Sequence, residues 1–281
     1  MLLCYKKAKR IHNAIGSLLF PGKYHTFLCT PKCNVRHHEL IQLLCATPDH
    51  GSLITPAVEN ESCSNFRAYL QETAWDLNAI VPDQLPKLCY SVIHLACLLG
   101  KCKALEVLSD FGFRPLIRTS ITEETPLHMA LHLLEHQPLG SLFLCNAIVN
   151  IVKTLNRHSH AISLFSAKDY RGNTVLHSLT KMLSPTKSCS ETTTIVYLFR
   201  VFVHFLLRGQ QSSPTVTQQI LSNSLKDYNK AGESVEVLLQ NTVVGEQLWK
   251  YLAGLMEGRE ASVGASNGEC LWRTCCPAEY S

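Results

Sequence analysis

The chain has 281 residues, 46% hydrophobic and 17% charged, with a formal net charge of +4 and 13 cysteines. That composition can bury a core and excludes wholesale disorder. The positive balance is too small for a nucleic-acid binder, which is expected to concentrate basic charge on one face. The cysteines are scattered and odd in number. The first residues, MLLCYKKAKR, place their charge after a very short apolar run, the reverse of a secretory signal. Reduced thiols and a cytoplasmic or nuclear location are the expectation. The longest apolar run, Ile195 to Leu207, is 13 residues long and contains Arg200 and His204. A membrane span needs about 20 apolar residues, so no membrane contact is expected.

Residues 1–60 form a basic, helical N-terminal segment. Lys6, Lys7, Lys9 and Arg10 lie beside Ile11, Ile15, Leu18, Leu19 and Phe20. This reads either as a short nuclear-import address or as the solvated face of a terminal helix. Cys29, Cys33, His37 and Cys45 then offer sulfur and imidazole ligands for a zinc ion. The spacing is not that of a usual finger, and His37 and His38 are adjacent, so ordinary thiols are the competing reading. Glu39 to Cys45 has the pattern of a helix. Residues 47–65, with Pro48, Gly51, Pro56 and the run Glu59-Asn60-Glu61-Ser62, read as a loop. Phe66 to Ile80 reads as a helix stopped by Pro82 and Pro86, and residues 61–90 as a helical cap.

The segment from Ser91 to Gly112 reads as helix, turn, helix and glycine stop. Ser91 is placed to cap the first helix. Ile93, Leu95, Ala96 and Leu99 give it an apolar face, and Gly100 ends it. Ala104, Leu105, Val107 and Leu108 give the second helix its buried side. Ser91-Val92-Ile93-His94-Leu95-Ala96 recurs as Thr125-Pro126-Leu127-His128-Met129-Ala130, 34 residues on, and as Thr174-Val175-Leu176-His177-Ser178-Leu179, 49 further. A period near 33 with a T-P-L-H-x-A signature is that of ankyrin repeats. Over about residues 86–240 the chain therefore resembles the ankyrin-repeat family.

The resemblance implies an all-α fold: an ankyrin-repeat solenoid of stacked helix-turn-helix units with finger loops, plus the N-terminal helical segment. The repeats would occupy 91–256, as 91–124, 125–173, 174–233 and a degenerate cap at 234–256. In the first finger, Ser120 and Glu123 hold the positions where the family keeps Asp and Gly, and the finger is one residue longer than usual. The second repeat has its N-cap at Thr125, an inner helix to about Glu135 and an outer helix from Leu142 to Leu155. Arg157 to Asn173 reads as a finger in which Asp169 and Gly172 match the family. Ser184 to Thr194 reads as an inserted loop, Ile195 to Leu207 as an outer helix and Gln210 to Asn223 as a connector. In the last finger Asn229 and Gly232 hold the positions of Asp169 and Gly172, Ser234 is the cap, and Val237 stands where the histidines stand. A last helix runs from about Val244 to Met256. Residues 257–281 lose periodicity and read as a disordered tail.

One histidine per repeat tempts a metal or catalytic reading. Stacking would separate the rings by about 10 Å, one helix-packing distance, too far to share a metal. The resemblance instead gives His94, His128 and His177 a structural role, bonding backbone near the fingers, with Asp169, Gly172 and Gly232 shaping the turns. No nucleophile elbow, phosphate-binding glycine loop or H-E-x-x-H motif occurs, so no enzyme activity, cofactor or small-molecule substrate is expected. The resemblance implies a scaffold or adaptor that binds one or more proteins on its concave and finger surface. Exposed candidates are Arg114, Arg118, Glu123, Glu124, Tyr170, Arg171, Tyr228 and Lys230. The later repeats are similar to the C-terminal repeats of feminisation-type ubiquitin-ligase receptors, which implies a substrate-binding subunit of a larger assembly, although no cullin-recruiting box follows residue 240. The alternative is a nuclear, chromatin- or nucleic-acid-associated protein that uses residues 1–45 as a basic, zinc-bearing module.

Overall fold

A computed structural model describes residues 35–47, 56–74, 77, 91–119, 121–136, 142–183, 189–208 and 214–256. Among these residues the chain is all-α, with an isolated bridge between Tyr228 and Ser234 and no longer strand. None of the described helices is long and apolar enough to cross a membrane. The chain divides into two compact units: Met1–Gln137 with Asn146–His158, and Pro138–Cys145 with Ser159–Ser281.

The first unit begins with α1 (Val35–Ala46) and α2 (Pro56–Thr73), which pack together. The short helix α3 (Val92–Leu98) is buried along its whole length, while α4 (Cys102–Asp110) buries Cys102, Ala104, Leu105, Val107 and Leu108 and exposes Glu106 and Asp110. α2 lies against α4. A second short helix, α5 (Pro126–Leu131), is also buried throughout and packs on α3; a turn at His132 separates it from α6 (Leu133–His136). From Asn146 onward, the long helix α7 (Leu142–Arg157) belongs to this unit too, burying Ala147, Ile148, Ile151, Val152 and Leu155. The Cys102 thiol donates to the Ala147 carbonyl at 3.3 Å, and the Phe113 and His158 rings lie 4.9 Å apart.

The second unit holds α8 (Ala161–Ser166), α9 (Val175–Lys181), α10 (Cys189–Arg208), α11 (Pro214–Lys226), α12 (Val235–Gln240) and α13 (Val243–Met256). α9 packs on α10 and on α12, and α12 on α13. Its core centres on Phe165, Phe199 and Phe202, all fully buried, with the Phe165 and Phe202 rings 5.1 Å apart.

Four helical stretches differ from the sequence expectation. Residues 56–65 are helical, not loop: Pro56 opens α2, Glu59 sits in its first turn, and the polar run forms the outer side of a helix anchored by buried Phe66 and Leu70. Within the expected finger 157–173, Ala161, Leu164 and Phe165 bury one side of α8 against α10. α10 begins at Cys189, so it takes in the last six residues of the expected inserted loop, Thr194 being buried. The expected connector 210–223 contains α11, held by buried Leu221 and Leu225. In each case polar residues form the exposed side, and two or three apolar anchors suffice for a helix that packs on neighbours.

One buried cation ties α1 to the helix pair α3–α4. Lys101 is only 7% exposed, and its ammonium donates to the Thr47 carbonyl at 2.6 Å, just past the end of α1. The last carbonyls of a helix lack intrahelical donors and carry partial negative charge, so a cation there satisfies both demands. Lys101→Met keeps the aliphatic stem and removes the charge. We expect it to lower stability by about 1–3 kcal/mol, measured by urea denaturation, with Lys101→Arg recovering part of the loss.

Candidate interaction surface

Each short buried helix starts with the same geometry. The cap residues Ser91, Thr125 and Thr174 have φ of −84°, −84° and −82° and ψ of 167°, 165° and 170°. In each, the cap backbone N–H donates to Nδ1 of the histidine three residues on, at 3.1 Å for His94, 3.4 Å for His128 and 3.2 Å for His177. An Nδ1 that accepts leaves the proton on Nε2. From there His94 donates to the carbonyls of Ile117 and Glu124, both at 3.1 Å, and His177 to that of Glu233 at 3.2 Å. The ring thus ties the start of its helix to the loop ahead of the next one. Burial pushes His94 down to about 4 and also lowers His177. Ser234 caps α12 through its hydroxyl, which accepts from Val237 N at 3.2 Å; Val237, with no ring to donate onward, is 45% exposed.

The three loops each close on a side-chain oxygen that accepts backbone N–H, with different side chains. In the first of the second unit, Asp169 N donates to Asn173 O at 2.9 Å, and the Asp169 carboxylate accepts from the backbone N–H of Arg171 and Asn173 at 2.9 and 2.7 Å. In the next, Asn229 repeats this: its N donates to Glu233 O, and its side-chain oxygen accepts from Ala231 N and Glu233 N, at 2.9 and 3.0 Å. Gly172 and Gly232 supply the positive φ of +76° and +75°. In the first unit Thr119 supplies an acceptor; Ser120, at the position where the family keeps Asp, lies outside the described residues. The loop is one residue longer, so the closing pair is Thr119 N to Glu124 O at 2.9 Å, with Glu124 N donating to Thr119 Oγ1 at 3.0 Å. Glu123 takes the glycine's place with φ of +52°.

Of the candidate contact residues, Arg114, Arg118, Glu123, Tyr170, Arg171, Tyr228 and Lys230 are exposed. Glu124 is not. Its side chain is 14% exposed and its carboxylate meets His132 Nε2 at 2.9 Å and the Thr122 hydroxyl at 2.6 Å. Burial pushes that carboxyl up, but the His132 hydrogen bond and charge and the Thr122 hydroxyl outweigh it and hold it below the usual range. Glu124 therefore braces its own loop. Arg118 faces Glu123 at 3.6 Å.

In the second unit the two loops are joined. Lys230 N donates to Arg171 O at 3.0 Å, and Asn229 Nδ2 to Asn173 Oδ1 at 3.0 Å. The Lys168 ammonium bonds the Asp227 carboxylate at 2.7 Å and Tyr228 O at 3.0 Å, and the Lys181 ammonium lies 3.0 Å from the Glu233 carboxylate. A Cβ on Gly172 would meet Lys230 N at 2.8 Å, so the approach of the loops leaves room only for hydrogen. Tyr170, Arg171 and Lys230 are brought together, with Tyr228 on the same loop as Lys230. The Asn173–Asn229 and Lys181–Glu233 links escape sequence reading because their partners lie 56 and 52 residues apart with no spacing to signal them.

The thiols of Cys63, Cys97 and Cys145 are all pushed up by burial, the condition of inert thiols. Among the described residues no group of three histidine, cysteine or acidic side chains is placed to hold a metal ion. Cys29, Cys33 and the side chains of His37 and Cys45 lie outside the described residues, as do the basic cluster Lys6–Arg10 and residues 257–281. The chain matches no family model and no curated protein sequence.

Two measurements check this geometry. Gly172→Ala is expected to lower stability by about 1–3 kcal/mol through strain and collision, whereas Glu123→Gly is expected to raise it by about 0.5–1 kcal/mol; urea midpoints of both variants give the comparison. The Glu123–Arg118 pair lost in the second variant is solvent-exposed and contributes little. The second measurement is pH dependence. An unfolded histidine takes up a proton near 6.5, and the buried His94 ring refuses it until about 4. Stability from this ring is therefore full above pH 6.5 and is lost as pH falls toward 4. The loss is on the order of 3 kcal/mol, and His94→Gln is expected to flatten the urea midpoint over that window.

Proposed function

We propose that this chain is a non-enzymatic scaffold or adaptor of ankyrin-repeat type, which binds a partner protein on the loops that join its helix pairs. The observation that carries this reading is the pairing of a locked interior with open loop tips. The cap and turn acceptors bond backbone N–H groups of their own segments, while Tyr170, Arg171, Tyr228 and Lys230 stand exposed at the tips. A surface of that kind can vary without disturbing the core beneath it. The recurrent cap-and-histidine geometry supports the family reading. The non-enzymatic reading is supported by histidines whose ring nitrogens are held by backbone and by thiols that burial keeps protonated. A role as substrate-binding subunit of a larger assembly is one form of this proposal, with location in the cytoplasm or nucleus.

Proximity labelling in cells, with the wild-type chain and with Tyr170→Ala plus Arg171→Ala, tests it. Circular dichroism and urea denaturation are expected to show an unchanged fold, because both side chains are exposed. Labelled partners are expected to drop out with the variant. If every partner survives that change and disappears when residues 1–45 are deleted, the loops are not the binding site.

A further inference from the structure

We infer that the two loop tips of the second unit form one composite site for an acidic segment of a partner protein. This rests on the scaffold reading above and adds the chemistry of what binds. Asp169 spends its carboxylate on Arg171 N, Asn173 N and the Asn173 side-chain amide. Asp227 is bonded by Lys168. Glu233 is bonded by Asn229 and Lys181, and those two hold its carboxyl below the usual range. All three acids of the two loops are thus committed internally, and they commit Lys168 and Lys181 with them. The remaining loop cations, Arg171 and Lys230, have no acidic partner among the described residues.

These two cations are neighbours by construction. The Lys230 N–H to Arg171 O bond joins the loops between them, and the absent Gly172 side chain lets Lys230 approach. Arg171 is also fixed in direction: its guanidinium lies 5.1 Å from the centre of the Tyr170 ring, and its Nε donates to Tyr170 Oη. Tyr170 and Tyr228 flank the pair at 39% and 62% exposure. Tyrosine and arginine are enriched among the few residues that carry most of the binding energy at protein interfaces. Two cations amid three fixed carboxylates suit a segment bearing a few acidic side chains. A continuous phosphate backbone would meet those carboxylates as well, which favours protein over nucleic acid.

The test pans a phage-displayed library of random twelve-residue peptides on the full chain and measures the selected peptides by fluorescence anisotropy. Expected are peptides rich in Asp and Glu whose affinity falls with added salt. Arg171→Gln plus Lys230→Gln should weaken them at least about tenfold, with the urea midpoint unchanged. The charge-reversed pair, Arg171→Glu plus Lys230→Glu, should abolish them. Selected peptides that lack acidic residues yet lose affinity in Tyr170→Ala plus Arg171→Ala overturn this inference and leave the scaffold reading standing. Peptides indifferent to all of these variants overturn both. A library that yields no acidic binder, or a short single-stranded oligonucleotide that binds the same residues more tightly than any peptide, also overturns the inference.

Discussion

His94 and His177 each accept a hydrogen bond from the backbone that starts their helix and donate one to the loop that precedes the next helix. Only the neutral ring with its proton on Nε2 can do both. That single requirement explains the surroundings. Burial keeps the rings neutral below the usual histidine range, and the helices that carry them lie largely inside: α3 is buried along its whole length, and α9 buries all but Ser178 and the exposed Lys181. Helices α3 and α9 have seven residues each, too few to be stable alone in water. They persist because the cap, the ring and the loop form one bonded circuit around a largely buried helix. Val237 shows the converse: where a valine replaces the ring, the position is open to solvent.

The loops repeat the lesson with other chemistry. Asp169, Asn229 and Thr119 have different side chains, yet each uses an oxygen to collect backbone N–H groups of its own turn. What is conserved within the molecule is an acceptor at the mouth of a turn. The charges this leaves over are few. The first unit settles Glu124 on His132, and the second settles Asp227 on Lys168 and Glu233 on Lys181. Surface character at the tips is therefore what remains after the turns have satisfied themselves.

The caps and buried helices were legible in the sequence because each is announced by a short local pattern: a hydroxyl residue, an apolar run and a histidine at a set spacing. The turn at Asp169–Asn173 was legible for the same reason. The first ten residues of α2, the start of α10, and all of α8 and α11 were not. Their outward sides are polar, and their anchors, such as Leu221 and Leu225 or Leu164 and Phe165, are too few to impose a period. Glu124 misled in the other direction. A glutamate in a loop reads as exposed, and only the position of His132, eight residues on and directly after the buried α5, accounts for its burial.

The ring-to-carbonyl contact also says where this chain can grow. It joins residues 30 apart in the first unit, His94 to Glu124, and 56 apart in the second, His177 to Glu233. The additional length lies in the long α10 and in α11, between the end of the short helix and the turn. Helix added there leaves the circuit closed. Material added between cap and ring would shift the histidine off its partner. In the second unit the added length thus falls between the short helix and the turn, and the hydrogen-bonded path from cap to ring to loop closes over either chain length.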